Sequence, residues 1–132
     1  AQGIHAEDPA LLLGRAKALL ELDRPGDALA VLERMGDDPE ARSPSTAVAL
    51  GRAYEGLGRI AEADTAFEWA SQRMPGFEGL ARYAAFMARN GRRAEARDAV
   101  TEMDKRLAKL KGQFQREARH WRDLAARALS EN

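Results

Sequence analysis

Residues 50–75, LGRAYEGLGRIAEADTAFEWASQRMP, form the stretch that decides the fold. Small residues and large apolar residues recur in it at helical spacing on both sides of a glycine turn. Two antiparallel helices pack in this way when their backbones come close, because Gly51 and Ala63 leave room that Tyr54 and Phe67 fill. The stretch therefore predicts a helix–turn–helix unit.

The order and spacing of these residues resemble the tetratricopeptide repeat (TPR), a helix–turn–helix unit of about 34 residues. The matching positions are Leu50, Gly51, Tyr54, Gly58, Ala63, Phe67, Ala70 and Pro75. The resemblance implies an all-α, right-handed α-solenoid of helix pairs. It also implies a concave groove, lined by the first helix of each repeat, that holds a peptide or a partner helix.

Weaker copies of the pattern precede and follow this unit. Three apolar positions of the second helix recur, first at an offset of 35 residues and then of 33: Ala28, Leu32 and Met35, then Ala63, Phe67 and Ala70, then Ala96, Val100 and Met103. We therefore expect one domain of three helix pairs and a capping helix. Its segments are a disordered or tag-derived start at 1–8, a degenerate repeat at 9–43, the full repeat at 44–76, a TPR-like repeat at 77–111 and the capping helix at 112–132.

Local signals predict where the helices begin and end. Asp8 and Ser43, each followed by proline, are typical N-caps. Residues 24–26, Arg-Pro-Gly, predict the first turn, and residues 36–43 predict a loop. Asn90-Gly91 predicts the last turn between paired helices, because glycine suits the left-handed end of a helix.

The predicted last helix has one apolar face, which carries Phe114, Ala118, Trp121, Leu124, Ala125 and Ala128. A helical array needs an end that covers its last apolar face, so this helix is expected to cap the array. Trp121 is expected to be largely buried near Val100 and Met103, and Phe114 to belong to the core.

The sequence contains no recognisable catalytic or metal-binding arrangement. It has no cysteine, which excludes disulfides and thiolate ligands, and its two histidines are His5 and His120. One histidine in a polar start and one on a basic helix provide no triad or dyad. We therefore expect no enzyme activity, no cofactor and no metal.

The overall charge is balanced, with 21 basic and 21 acidic residues, although residues 105–132 are mainly basic and residues 1–44 mainly acidic. The basic helix at 112–132 lacks the interleaved aromatic residues of a nucleic-acid stacking platform, so no nucleic acid is expected. No apolar run approaches the ~20 residues of a membrane span, so direct membrane insertion is not expected either.

The TPR resemblance places one set of residues on the groove: Leu13, Lys17, Val48, Arg52, Glu55, Glu78, Arg82, Ala85 and Arg89. Helical spacing supports this set, since Val48, Arg52 and Glu55 share one face. Its cations suit a mixed or acidic peptide, and Leu13, Val48 and Ala85 are expected to provide apolar anchors. The competing interpretation is that the arginines only form a solvated face.

A second function remains open, namely that the chain is a homo-oligomerisation module of a larger assembly protein. The C-terminal part, residues 77–100 with the helix around Trp121, looks like the end of bacterial TPR proteins that carry an amino-terminal membrane segment. This likeness implies a domain tethered to an inner membrane, on its cytoplasmic or periplasmic side. Because the sequence begins with Ala1 rather than Met, we expect a fragment or a processed product.

Overall fold

The protein is described here by a computed structural model that covers residues 8–131. Across these residues it contains seven α-helices, one 3-10 helix and no β-strand. The helices are α1 (Pro9–Glu21), α2 (Pro25–Glu33), α3 (Pro44–Gly56), α4 (Ile60–Arg73), α5 (Glu78–Arg89), α6 (Arg93–Leu107) and α7 (Gly112–Ser130), and the 3-10 helix is Pro39–Arg42. The prediction of an all-α fold is thereby confirmed. Of the predicted disordered start, all but Asp8 lies outside the described residues.

Two helices begin at the predicted side-chain caps. The Asp8 carboxylate accepts the N–H of Ala10 at 2.9 Å, and the Ser43 hydroxyl accepts the N–H of Thr46 at 3.1 Å. Each bond satisfies one of the amide groups that a helix leaves without a partner in its first turn. A proline follows each cap, as the sequence predicts.

The three turns that join α1 to α2, α3 to α4 and α5 to α6 share one backbone geometry. In each turn an arginine N–H donates to the carbonyl five residues earlier: Arg24 to Leu19 at 2.9 Å, Arg59 to Tyr54 at 2.8 Å, and Arg92 to Met87 at 2.8 Å. The residue before each arginine has positive φ, namely Asp23, Gly58 and Gly91. This is the Schellman end of a helix. The repeat seen in the sequence is therefore also a repeat of local structure.

The first turn and the following loop differ from their predictions. Pro25 and Gly26 are already helical in α2, and the turn is formed by residues 22–24. The 3-10 helix lies inside the predicted loop 36–43. It is held there because the buried Thr46 hydroxyl donates to the carbonyl of Glu40 at 2.7 Å, a side-chain contact across six residues that loop composition does not reveal.

The chain divides into two compact units, a first unit up to Ala66 and a second unit from Phe67 onward. In the first unit, α1 contacts α2 and α3, and α2 contacts α3. The core of these contacts consists of Leu12, Leu13, Ala16, Ala28, Val31, Leu32, Met35 and Ala49. A connection as short as residues 22–24 makes α1 and α2 run in opposite directions.

In the second unit, α7 packs against both α5 and α6, which also contact each other. The core of this unit is rich in alanine and consists of Phe77, Ala81, Ala84, Ala99, Val100, Met103, Leu107, Ala118 and Ala125. Small side chains allow helix axes to approach toward the short end of the usual 8–10 Å. Ala118 and Ala125 of α7 thus pack into the core that α5 and α6 share.

Polar contacts at both ends of the α6–α7 contact fix the position of α7. Arg122 forms two hydrogen bonds with the carboxylate of Asp104 on α6, at 2.7 and 3.2 Å. Arg93, at the start of α6, donates to the carbonyls of Leu129 and Glu131. A guanidinium at the carboxyl end of a helix satisfies free carbonyls and complements the helix dipole.

Most predicted core positions of the repeats are buried, including Gly51, Ala63, Phe67 and Ala70. Tyr54 is only half-buried, and the guanidinium of Arg59 lies over its ring, 4.8 Å from the centroid. On α7 two predictions are wrong. Trp121 is half-buried against the second-unit core rather than largely buried, and Phe114 is 65% exposed.

Candidate functional site

The predicted groove residues of the first unit lie on two neighbouring helices. Lys17 on α1 is exposed, and Arg52 on α3 reaches the Glu21 carboxylate of α1 at 3.4 Å. The Arg52 side chain is largely enclosed while that of Glu21 is largely exposed. Glu55, one turn further along α3, is half-buried. The polar faces of α1 and α3 therefore adjoin within this unit, and we call them the α1–α3 face.

The apolar members of the predicted groove set lie in the interior. Leu13, Val48 and Ala85 are 8%, 3% and 1% exposed. Side chains with so little accessible area offer little apolar surface to a ligand. The expectation that they anchor a peptide is therefore wrong. Spacing identified a shared helix face but not which part of it neighbouring helices cover.

In the second unit, the predicted groove residue Arg82 contacts α7. The Arg82 guanidinium lies over the indole ring of Trp121, 5.1 Å from its centroid, and its Nε is 3.9 Å from the Glu78 carboxylate. Stacking of this kind joins the packing of the arginine stem to a cation–π attraction. Arg82 thus contributes to the α5–α7 contact, so its substitution would change packing as well as surface charge.

Arg89, the last predicted groove residue, is exposed near the carboxyl end of α7. With Arg93 and Glu131 it lines a cavity of about 540 Å³. Arg93 at the start of α6 donates to carbonyls at the end of α7, so this cavity lies where the two helix ends meet and needs no ligand to explain it.

Sequence reasoning missed a charged contact that marks each turn between paired helices. The arginine that ends the turn pairs with the acidic residue three positions later: Arg24 with Asp27 at 2.7 Å, Arg59 with Glu62 at 2.7 Å, and Arg92 with Glu95 at 3.0 Å. The signal is visible as DRPGD at 23–27, GRIAE at 58–62 and GRRAE at 91–95. These pairs mark the architecture rather than a ligand site.

Two guanidinium groups have perturbed acidity. The hydrogen bond to Asp104 raises the pKa of Arg122, and the hydrogen bond to Glu62 raises the pKa of Arg59. An arginine is already charged at every physiological pH. These contacts therefore strengthen structural ion pairs and prepare no group for proton transfer.

Within residues 8–131, no three His, Cys, Asp or Glu side chains converge in a way that would hold a metal ion. His120 is exposed and its ring meets that of Trp121 edge-on, 4.9 Å between centroids. His5 lies outside the described residues. Among the helices of the described part, none is long and apolar enough to cross a membrane.

Among the predicted groove residues, those of the α1–α3 face therefore form the best candidate binding surface, because Arg52 of α3 pairs there with Glu21 of α1. Comparison of the chain with protein-family models, with curated proteins and with solved structures finds no match.

Proposed function

We propose that this protein is a non-catalytic protein-interaction module, a TPR-like right-handed solenoid that binds a peptide or a partner helix along its first helices. Three turns of one geometry, each followed by the same ion pair, support a chain built from repeated helix pairs. Repeat arrays of this kind offer extended surfaces to partners.

The observation that carries the proposal is the contact between the polar faces of α1 and α3. Arg52 of α3 pairs with Glu21 of α1, so the two helices present one surface rather than two separate ones. That surface also contains Lys17 and Glu55. A surface with both positive and negative side chains suits a partner that also carries both charges. A partner with the wrong charge pattern would place like charges together and bind more weakly.

The burial of the apolar groove residues sets the expected affinity. With Leu13 and Val48 in the interior, binding to the α1–α3 face depends mainly on polar contacts. Exposed ion pairs contribute only ~0–1 kcal/mol each. We therefore expect affinities in the micromolar range or weaker, because a Kd of 1 μM already requires about 8 kcal/mol.

The test uses a peptide selected against the whole chain from a random dodecapeptide display library. Its affinity is measured by fluorescence anisotropy for the parent protein and for the double variant Lys17→Glu with Arg52→Glu. We expect binding to weaken by about ten-fold or more, because two attractive contacts become repulsive. Circular dichroism checks that the helices persist, because the Arg52 side chain is largely enclosed and its reversal places a carboxylate opposite Glu21.

The matched control is Lys105→Glu with Lys109→Glu, which changes the net charge equally at exposed positions of the second unit. If this control weakens binding as much as the first double variant, only long-range charge matters. If neither variant changes binding, the peptide does not use the α1–α3 face. Either result would overturn the proposal.

One observation favours self-association as the second candidate function. Leu11 and Leu22 are 68% and 66% exposed. In the described part of the chain they are the two most exposed large apolar residues, followed by Phe114. Leu11 lies in the first turn of α1, and Leu22 is the C-cap residue directly after the helix, about three helical turns further along the same side. Exposed leucines on one face are typical of a contact between protein copies.

Analytical ultracentrifugation at two protein concentrations separates this candidate from the first. Self-association through α1 predicts a larger species at the higher concentration, and Leu11→Ser with Leu22→Ser should return it to the monomer. A monomer at both concentrations would leave peptide binding as the function to pursue.

A further inference from the structure

A cleft of about 450 Å³ opens in the second unit beside the end of α6 and the start of α7. Its apolar wall is formed by Phe77, Leu110, Phe114 and Trp121, and the loop after α4 closes one side. Leu110 and Trp121 are half-buried. The cleft belongs wholly to the second unit and does not depend on the α1–α3 face.

Phe114 is the unusual member of this wall. The other phenylalanines, Phe67, Phe77 and Phe86, are all buried, whereas Phe114 is 65% exposed on the first turn of α7. A single exposed apolar residue is ordinary. Phe114, however, borders a cleft that also contains the half-buried Trp121, so the two rings together expose more apolar surface than either alone. Aromatic residues around a concavity are typical of binding sites for a partner's side chain.

The charges around the cleft leave one carboxylate unmatched. Arg106 pairs with Glu102 at 3.0 Å, and Glu78 is 3.9 Å from Arg82. Glu117 lines the cleft and has no ion pair within residues 8–131. The cleft therefore combines an apolar wall with one available negative charge.

Helical spacing places that charge beside the two aromatic rings. Phe114, Glu117 and Trp121 lie at i, i+3 and i+7, so they share one face of α7. The faces of aromatic rings attract cations, as Trp121 already does with Arg82 at 5.1 Å. A carboxylate next to two rings complements a cation that is attached to an apolar stem.

We propose that this cleft binds a lysine or arginine side chain of a partner polypeptide. The methylene stem of that side chain lies along Leu110 and Phe114, and its charged head pairs with Glu117. Long basic side chains suit such a surface because they bury their stems against apolar groups and keep the charge at a polar edge.

The experiment uses three fluorescein-labelled dodecapeptides that differ only in their central residues: Arg-Leu-Leu-Arg, Gln-Leu-Leu-Gln and Glu-Leu-Leu-Glu. The full chain carries Trp69→Phe, so that Trp121 provides the remaining indole signal. Affinity is measured by anisotropy, and the location of binding by the NMR shift of the Trp121 indole N–H.

The arginine peptide should bind tightest and the glutamate peptide weakest, with the Trp121 signal shifting on binding. Glu117→Lys should weaken the arginine peptide by several-fold, up to about ten-fold, and strengthen the glutamate peptide. Phe114→Ala should weaken both, because the apolar wall is lost. The matched control Leu11→Ala removes an equally exposed side chain from the first unit and should change nothing.

Three results would overturn the proposal. The Trp121 signal could stay unchanged at millimolar peptide, the three peptides could bind equally, or Glu117→Lys could leave their order unaltered. A Trp121 signal that moves with protein concentration alone would assign the cleft to a second copy of the chain instead. None of these results bears on the α1–α3 face.

Discussion

Replacing Phe67 with alanine tests the register of the whole repeat. Phe67 is fully buried, and its ring centroid lies 5.3 Å from that of Phe86 in a tilted arrangement. Truncating a buried phenylalanine costs ~3–5 kcal/mol, and a ring pair adds ~0.5–1.5 kcal/mol beyond the buried area. We therefore expect a loss of about 4 kcal/mol in the free energy of unfolding.

The measurement is urea denaturation followed by circular dichroism and by Trp121 fluorescence in a Trp69→Phe background. At a typical slope of ~2 kcal/mol per molar urea, the midpoint of Phe67→Ala should fall by about 2 M. Circular dichroism reports on all helices, whereas Trp121 reports on the second unit, to which Phe67 belongs. The fluorescence transition should therefore show the full shift.

Phe114→Ala is the matched control, because it removes the same atoms from a position that is 65% exposed. Its free energy of unfolding should change by no more than about 0.5 kcal/mol. If the two variants unfold together, or if Phe67→Ala loses less than about 1 kcal/mol, Phe67 does not fill a core position and the register is wrong.

Two further predictions concern backbone positions, and thermal unfolding checks both. Gly79→Ala should destabilise by ~1–3 kcal/mol, because a Cβ there would lie 3.0 Å from the carbonyl oxygen of Ala70 and 3.1 Å from the Cβ of Met74. Gly14→Ala should instead stabilise α1 by ~0.5–1 kcal/mol, because a Cβ there would have nothing within 4 Å. If Gly79→Ala and Gly14→Ala changed the melting temperature equally, the close packing at Gly79 of α5 would be contradicted. Asp23→Gly should stabilise by up to about 1 kcal/mol, because φ at this position is 58°; a lower melting temperature would show that the aspartate is favoured there.

The fold could be predicted largely because its decisive signals are local. A cap such as Ser43 and a glycine turn such as Gly58 act within a few residues, so composition and spacing reveal them. The 3-10 helix was not foreseen, because it depends on a hydroxyl of Thr46 that bonds back to Glu40. Composition does not show which backbone carbonyl such a hydroxyl reaches.

Side-chain burial was predicted less well, as two residues illustrate. Phe114 was expected to be buried and is exposed, whereas Ala85 was expected to be accessible and is buried. Helical periodicity gives the angle of a residue about the helix axis, and both residues have angles consistent with their predicted faces. It does not say how far along the axis a neighbouring helix extends. Phe114 lies on the first turn of α7, bordering an open cleft, and remains exposed. Ala85 lies within α5 and is buried.

The same limit explains why the candidate sites had to be revised. A resemblance assigns groove positions by number, yet the surface that a partner can reach depends on which of them a neighbouring helix leaves open. On the α1–α3 face Lys17 and Glu21 remain accessible while the apolar residues do not, so the recognition that we propose there depends on charge pattern. At the cleft of the second unit, apolar and charged groups are accessible together. Under the two proposals, the cleft is therefore the better place for a side chain to be anchored, and the α1–α3 face the better place for a partner to be selected.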